Sequence, residues 1–233
     1  GLLKTEIDGF AAKSFIEVGS GSGRISFRLE RSGATAYLLD KSRQALSFSK
    51  EHFSRTKTPH KAVCASIFNM PYPDNAFDVV WNAGVIEHFI GREQEDALKE
   101  MVRICKRGGI IITLNPYAGS FLHTFGKCII EKLTQYPFGR EIPIVSLKDC
   151  CHVLNCKLKK DEYSAGFFVL GVGMFKRLSL LPMGGVFKPL LSVLNRASCN
   201  LDNSFLGNKI KKTDLMFSKV FGGYLLVSIL QKN

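Results

Sequence analysis

The stretch Phe15-Ile16-Glu17-Val18-Gly19-Ser20-Gly21-Ser22-Gly23 runs a short apolar segment into three alternating glycines. Glycines at such a bend let the chain turn sharply and let a ligand approach the backbone. Many such bends are plain tight turns, so the neighbouring residues must decide. A dinucleotide fingerprint places its glycines two and then three residues apart. Here both steps are two, and the residue five after Gly19 is Arg24. Glu17 stands two residues before the first glycine. A carboxylate there repels a pyrophosphate and suits a cation carrying an ammonium and a sulfonium. Asp40 ends the next apolar run, 21 residues after Gly19. A carboxylate at that place can accept from both hydroxyls of a ribose.

These groups need a frame, and the first half of the chain supplies one. Strand-like and helix-like segments alternate, which predicts an α/β fold with a largely parallel sheet. Strands are expected at 14–18, 35–39, 60–64, 77–81 and 110–114. Helices are expected at 22–31, at 42–55 with Ser42 as N-cap, and at 92–107. In the first helix Ile25, Phe27 and Leu29 lie on or near the apolar side, and Gly33 is the expected C-terminal cap. The third helix has Glu93, Glu95 and Asp96 in its first turn and Lys106 and Arg107 in its last, matching the helix dipole. Leu98, Met101, Val102 and Cys105 recur at helical spacing. Gly108-Gly109 reads as its stop, and Asn115-Pro116 as the end of the strand that follows. Further on, 146–156 reads as a helix, with strands at 157–164 and 224–231.

In its order of motifs the sequence resembles the class I S-adenosylmethionine-dependent methyltransferases. The likeness covers about residues 14–116 and is strongest to the small-molecule group that includes ubiquinone-biosynthesis and sterol enzymes. It rests on the glycine turn, on Tyr37-Leu38-Leu39-Asp40, and on the run from Met70 to Val80. Gly84-Val85-Ile86-Glu87-His88-Phe89 and Arg107-Gly108-Gly109 complete it. The resemblance implies a Rossmann-like, seven-stranded, mostly parallel sheet with helices on both faces and an antiparallel last strand. It implies S-adenosyl-L-methionine as cofactor and S-adenosyl-L-homocysteine as product.

It also implies roles. Gly19, Ser20, Gly21 and Gly23 would cradle the methionine and ribose part. Glu17 would hold the amino group, Asp40 the ribose hydroxyls, and Lys41 would lie beside the adenine. Ser66 and Ile67 would flank the adenine ring, and Asn82 and Ala83 would lie near the methionine moiety. The family usually has an acid where Ser66 stands, and a hydroxyl accepts more weakly. Ser66 is equally readable as a plain loop serine. His88 is a candidate general base, or else a histidine that shapes the pocket. Some quinone methyltransferases bind a metal through Glu-x-x-Glu-His. Gly84 replaces the first acid here, so no metal is expected.

In open α/β sheets ligands sit beyond the carboxyl ends of the strands. Phe89, Asn115, Tyr117 and Phe121 are therefore the acceptor-side candidates, with Ile90 and His123 nearby. Tyr117 and Phe121, four residues apart, would share a helix face. Residues 166–212 read as a mostly helical insertion or cap, with helices near 169–180 and 186–197. They interrupt one methyltransferase domain formed by 1–165 and 213–233. The insertion is rich in Phe, Leu and Met, with Lys176, Arg177, Lys188 and Arg196 among them. It could cover a lipophilic or anionic substrate or rest on an anionic membrane surface; packing on the sheet is the plainer reading.

The formal charge is +12. Residues 1–116 carry 16 Lys/Arg against 13 Asp/Glu, and 117–233 carry 16 against 7. The second half is thus the basic half, which suggests an anionic partner or merely a soluble basic surface. An odd number of scattered cysteines (seven) and no secretory leader predict reduced thiols in the cytoplasm. Cys150, Cys151 and Cys156 cluster without zinc spacing. No run of about 18 uncharged apolar residues suggests a spanning helix.

A small-molecule methyltransferase is the leading expectation. A nucleic-acid methyltransferase has only the charge in its favour. The Asn/Asp-Pro-Pro-Tyr/Phe signature of amino-methylating enzymes is replaced by Trp81-Asn82-Ala83-Gly84. A non-catalytic S-adenosylmethionine binder remains an alternative, while the glycine spacing and Glu17 disfavour a nicotinamide oxidoreductase.

Overall fold

Phe15, Ile16 and Val18 need burial, and Ser14–Val18 (β1) obtains it as an interior strand of the sheet, between β2 and β4. A computed structural model of the chain describes residues 14–30, 35–54, 60–120, 141–164 and 223–233, with a few isolated positions elsewhere. After β1 come α1 (Arg24–Glu30), β2 (Thr35–Asp40), α2 (Arg43–Ser54), β3 (His60–Cys64) and β4 (Phe77–Ala83). A 3-10 turn, Ile86–His88, leads to α3 (Arg92–Ile104) and directly into β5 (Cys105–Pro116). Then follow α4 (Lys148–Val153), β6 (Cys156–Ser164) and β7 (Leu225–Lys232).

The strands form one seven-stranded sheet in the order β3-β2-β1-β4-β5-β7-β6. The sheet is mostly parallel with an antiparallel last strand, as expected. β1 pairs in parallel with β2 through Ser14↔Thr35 to Val18↔Leu39, and with β4 through Phe15↔Val79 to Glu17↔Trp81. These pairings bring the carboxyl ends of β1, β2 and β4 together, and the glycine turn leaves from that end. The strand order changes direction between β1 and β4, which makes this a topological switch point.

The contacts divide the chain into two units, one formed by Gly1–Leu114, Ser146–Asp161 and Ser228–Asn233, the other by 115–145 and 162–227. In the first unit α2 starts on Ser42, whose Oγ accepts from Ala45 N at 3.1 Å, as an N-cap should. Leu46 and Phe53 of α2 pack on Leu38, with Phe27 and Ala62 beside them. Each such large apolar side chain contributes about 1.5–3 kcal/mol when fully buried. Helix α3 is amphipathic: Ala97, Leu98, Met101 and Ile104 are buried, while Glu93, Glu95 and Asp96 stay toward its start. In the second unit Tyr117 N donates to Tyr224 O at 3.0 Å and Ala118 N to Ile144 O at 3.1 Å.

Four local expectations change. Ile25 is exposed, and the buried residue on that turn of α1 is Ser26. Helix α3 ends at Ile104 rather than 107, and Lys106 and Arg107 belong to β5. The reason is pairing: Cys105 lies opposite Phe77, and the register shifts between Phe77 and Val79. Gly108, at φ +72°, and Gly109, where a Cβ would meet Asp78 O at 2.8 Å, therefore mark an irregularity inside a strand. Pro116 does not break β5 but completes it, and its carbonyl accepts from Ile144 N at 3.0 Å. Tyr117 sits in an isolated parallel bridge with Ile144, not on a helix face.

Gly33, Phe121, His123 and both helices expected in 166–212 lie outside the described residues, apart from isolated positions in that insertion. Among the described residues, no helix is long and apolar enough to cross a membrane.

Candidate active site

Each glycine of the turn takes a left-handed backbone, at φ +69° for Gly19, +52° for Gly21 and +66° for Gly23. They are glycines for different reasons. A Cβ on Gly19 would meet Val85 Cγ2 at 2.5 Å, and one on Gly23 would meet Leu38 Cδ1 at 2.8 Å. Neighbouring side chains forbid anything larger at those two places. Beside Gly21 there is nothing within 4 Å. That is the one glycine of the three with open space on its side-chain face, so it is where a ligand can lie along the backbone.

Two carboxyl groups belong to the strand ends from which the turn leaves, and one of them reaches Gly21 itself. Asp40 Oδ2 accepts from Gly21 N at 2.7 Å, and its Oδ1 accepts from Ser42 N at 2.8 Å. A carboxylate has about four acceptor sites, so two remain for other donors. Nothing in the residue spacing marks Asp40 as the group that also pins the turn. Glu17 is buried, and its Oε2 accepts from Ser26 N, 3.2 Å away in the first turn of α1. Burial pushes its carboxyl up to about 8, against the pull of the Ser26 bond, with the Asp40 charge adding to the rise.

The other expected residues of the first unit gather around the same strand ends. The turn itself is fastened by Gly19 N and Ser20 N, both donating to Leu39 O. Ala65 N donates to Asp40 O at 3.1 Å, which sets Ser66 next to Asp40 and Lys41. Ser66 is exposed and its Oγ accepts from Phe68 N at 3.2 Å; Ile67 is buried. Asn82, next to last in β4, is fully buried with its Nδ2 donating to Met101 Sδ at 3.3 Å, and Ala83 ends the strand. Ser20 Oγ and Asn82 Oδ1 are buried and have no hydrogen-bond partner among the described residues. Open space beside Gly21, spare acceptor sites on Asp40 and these two polar atoms suit a ligand carrying hydroxyl and ammonium groups.

On the acceptor side the residues divide. His88 closes the 3-10 turn with an exposed side chain, whereas Glu87 beside it is 2 % exposed. A Cβ on Gly84 would lie 3.4 Å from Glu87 Oε1, so this carboxyl folds back over the end of β4. Glu87 is the residue that sequence reasoning passed over; the signal was its place in the Glu-His pair. Phe89 is half-buried against Phe68, with ring centroids 4.9 Å apart, and Ile90 is exposed. Asn115 and Tyr117 belong to the second unit, where Asn115 is buried and Tyr117 partly so.

Residues 16–113, which hold all of this first-unit site, match the model of a family described as a methyltransferase domain. Over this stretch the chain matches a methyltransferase domain. The family's cofactor is S-adenosylmethionine, and the opening at Gly21 fits its hydroxyls and ammonium. Over 152 residues the chain is 26% identical to the malonyl-[acyl-carrier protein] O-methyltransferase of Buchnera aphidicola, covering 65% of this chain and 59% of that protein. The chain therefore spans less than two thirds of that relative's length. A candidate sarcosine dimethylglycine methyltransferase from Galdieria sulphuraria shares the fold, with TM-score 0.63 and 12% identity over 100% of this chain and 83% of that one. The [4+2]-cyclase SpnF shares it too, with TM-score 0.59 and 15% identity over 95% and 75%. The fold thus carries more than one named activity, and function must be argued from the site.

Proposed function

We propose that the chain is an S-adenosylmethionine-dependent methyltransferase acting on a small-molecule acceptor that is lipophilic or anionic. The observation that carries this is the open face of Gly21 beside Asp40, in a stretch that matches a methyltransferase domain. S-adenosylmethionine, when bound, supplies an electrophilic sulfonium methyl. The chain's residues do the rest by holding and aligning. Asp40 takes the ribose hydroxyls with the acceptor sites that Gly21 and Ser42 leave over. Glu17, once ionised, pairs with the ammonium. Ser66 and Ile67 flank the adenine with Lys41 beside them, and Asn82 and Ala83 face the methionine part. Transfer from a sulfonium can proceed mainly by proximity and alignment.

Phe89, Asn115, Tyr117 and Phe121 are assigned to the acceptor. His88 is the candidate base for a hydroxyl acceptor, and the buried Glu87 precedes it in the chain. An anionic acceptor is favoured by the basic second half of the chain and by the named substrate of the Buchnera relative, a malonyl group on a carrier protein. The test is calorimetry with S-adenosylmethionine, S-adenosylhomocysteine and NAD, followed by transfer of labelled methyl to a metabolite extract. Binding of the two sulfur nucleosides but not NAD, with label appearing in a small molecule, is the expected result. Tight binding with no transfer to any fraction would favour a non-catalytic binder.

A further inference from the structure

In the sheet, β3 and β4 are consecutive in sequence but separated by β2 and β1. The loop of residues 65–76 must therefore cross two strand ends with no helix or strand of its own. Its own short turns, Asn69 N to Ser66 O and Tyr72 N to Met70 O, order it locally, and its place over the sheet depends on what holds it from outside. Ser66 and Ile67 stand at its start, and their placement against an adenine depends on where the loop is held.

The holding is done by helix α3. Glu100 Oε1 accepts from Met70 N at 2.8 Å, and Arg103 Nη2 donates to Met70 O at 3.0 Å. Both backbone groups of one buried loop residue are thus taken by one pair of side chains. The pair is itself locked: Arg103 Nε donates to Glu100 Oε2 at 2.7 Å and Nη2 to Oε1 at 2.8 Å, a two-bond fork. Arg103 Nη1 reaches further along the loop, to Tyr72 O and Asp74 Oδ1, both at 2.8 Å. The main chain of α3 completes the seam, with Asn75 N donating to Arg103 O and Ala76 N to Ile104 O. At the loop's other end Phe68 meets Phe89 edge-on.

We propose that Arg103 and Glu100 are positioning residues for the adenine half of the cofactor, acting from α3 through Met70 on the loop that carries Ser66 and Ile67. This rests on the cofactor reading above and adds two residues outside the site. Only the arginine fork can bridge Met70, Tyr72 and Asp74 at once; a lysine offers one point charge instead.

The test compares dissociation constants for S-adenosylhomocysteine and for 5′-methylthioadenosine, which keeps the adenosine half. Both are measured well below the melting temperature. Arg103→Ala is expected to weaken both ligands by a similar factor, roughly tenfold, and to raise amide exchange across residues 66–74. Lys232→Ala is the control. Lys232 Nζ donates to Arg103 O and Cys105 O at the end of the same helix, and to Asn75 Oδ1 only at the loop's exit, far along the chain from Ser66 and Ile67, so its loss should lower the melting temperature and leave both constants unchanged. Should Arg103→Ala fail to fold, Arg103→Lys carries the test, with an expected weakening of about threefold or more.

Constants unchanged in the arginine variants while Ile67→Ala weakens binding would overturn the inference and leave the cofactor reading standing. Constants unchanged in Ile67→Ala as well would remove the adenine role of the loop. No binding of either nucleoside by the unmodified chain would sink both.

Discussion

Asp40 both fastens the glycine turn and offers its remaining lone pairs to a ligand. Asp40→Ala should accordingly weaken S-adenosylhomocysteine binding by about 1–3 kcal/mol through lost charge-assisted hydrogen bonds. Titration calorimetry measures this, and an unchanged constant would take Asp40 out of the site. Glu17 leads to a pH dependence whose sign can be worked out. Its carboxyl is raised by burial from 4.5 to about 8 in the folded chain without ligand. Between those values the folded state keeps a proton that the unfolded state has lost. Stability without ligand should therefore be full below about pH 4.5, fall as pH rises toward 8, and level off above. An ammonium partner favours the ionised carboxylate, so cofactor affinity should move the other way and rise with pH up to about 8. Melting curves and binding constants of the unmodified chain and of Glu17→Gln across this range check both halves. Equal slopes in the two proteins would show that Glu17 does not titrate there.

At the level of elements, the three glycines of one turn should behave differently. Gly19→Ala and Gly23→Ala place a methyl against Val85 and Leu38 at a positive φ. Overpacking and backbone strain together should cost each roughly 2–4 kcal/mol of stability. Gly21→Ala meets nothing, so it should cost only about 1 kcal/mol while losing most of its cofactor affinity. Thermal melts set beside calorimetry separate the two classes. The strands around this turn were legible because β1 and β2 are short, mostly apolar runs bounded by turn residues, and the ends of β1, β2 and β3 agree with expectation to within a residue. The end of α3 was not. Lys106-Arg107-Gly108-Gly109 has every local mark of a helix terminus, and only the pairing of Cys105 with Phe77, a contact between distant residues, overrides it. The site divides in the same way. Asp40 and the glycines announce themselves by spacing, but the hydrogen bond from Gly21 to Asp40 and the hold of Arg103 on Met70 do not. An arginine near a helix end reads as an ordinary solvated cation until the fold brings a loop to it.

For the molecule as a whole, charge is the property that reaches furthest. The excess of Lys and Arg over Asp and Glu in residues 117–233 predicts association with anionic vesicles at low ionic strength, released as salt shortens the screening length. Flotation with anionic and neutral liposomes over a salt series measures it, and no association at low salt would remove the membrane surface as a partner. The same excess favours an acceptor bearing a carboxylate or phosphate over a neutral one of equal size, which competition during methyl transfer would reveal.

Strand β6 lies at one border of the sheet, and along it Lys157 and Lys159 are exposed while Cys156, its first residue, is buried. A border strand is a template on which a second copy could add its own strand and seed insoluble material. Two ammonium groups on alternate residues make that addition bring like charges face to face. Replacing both by threonine should leave the melting temperature nearly unchanged and increase light scattering on prolonged incubation, so that these lysines guard the protein's shelf life rather than its fold.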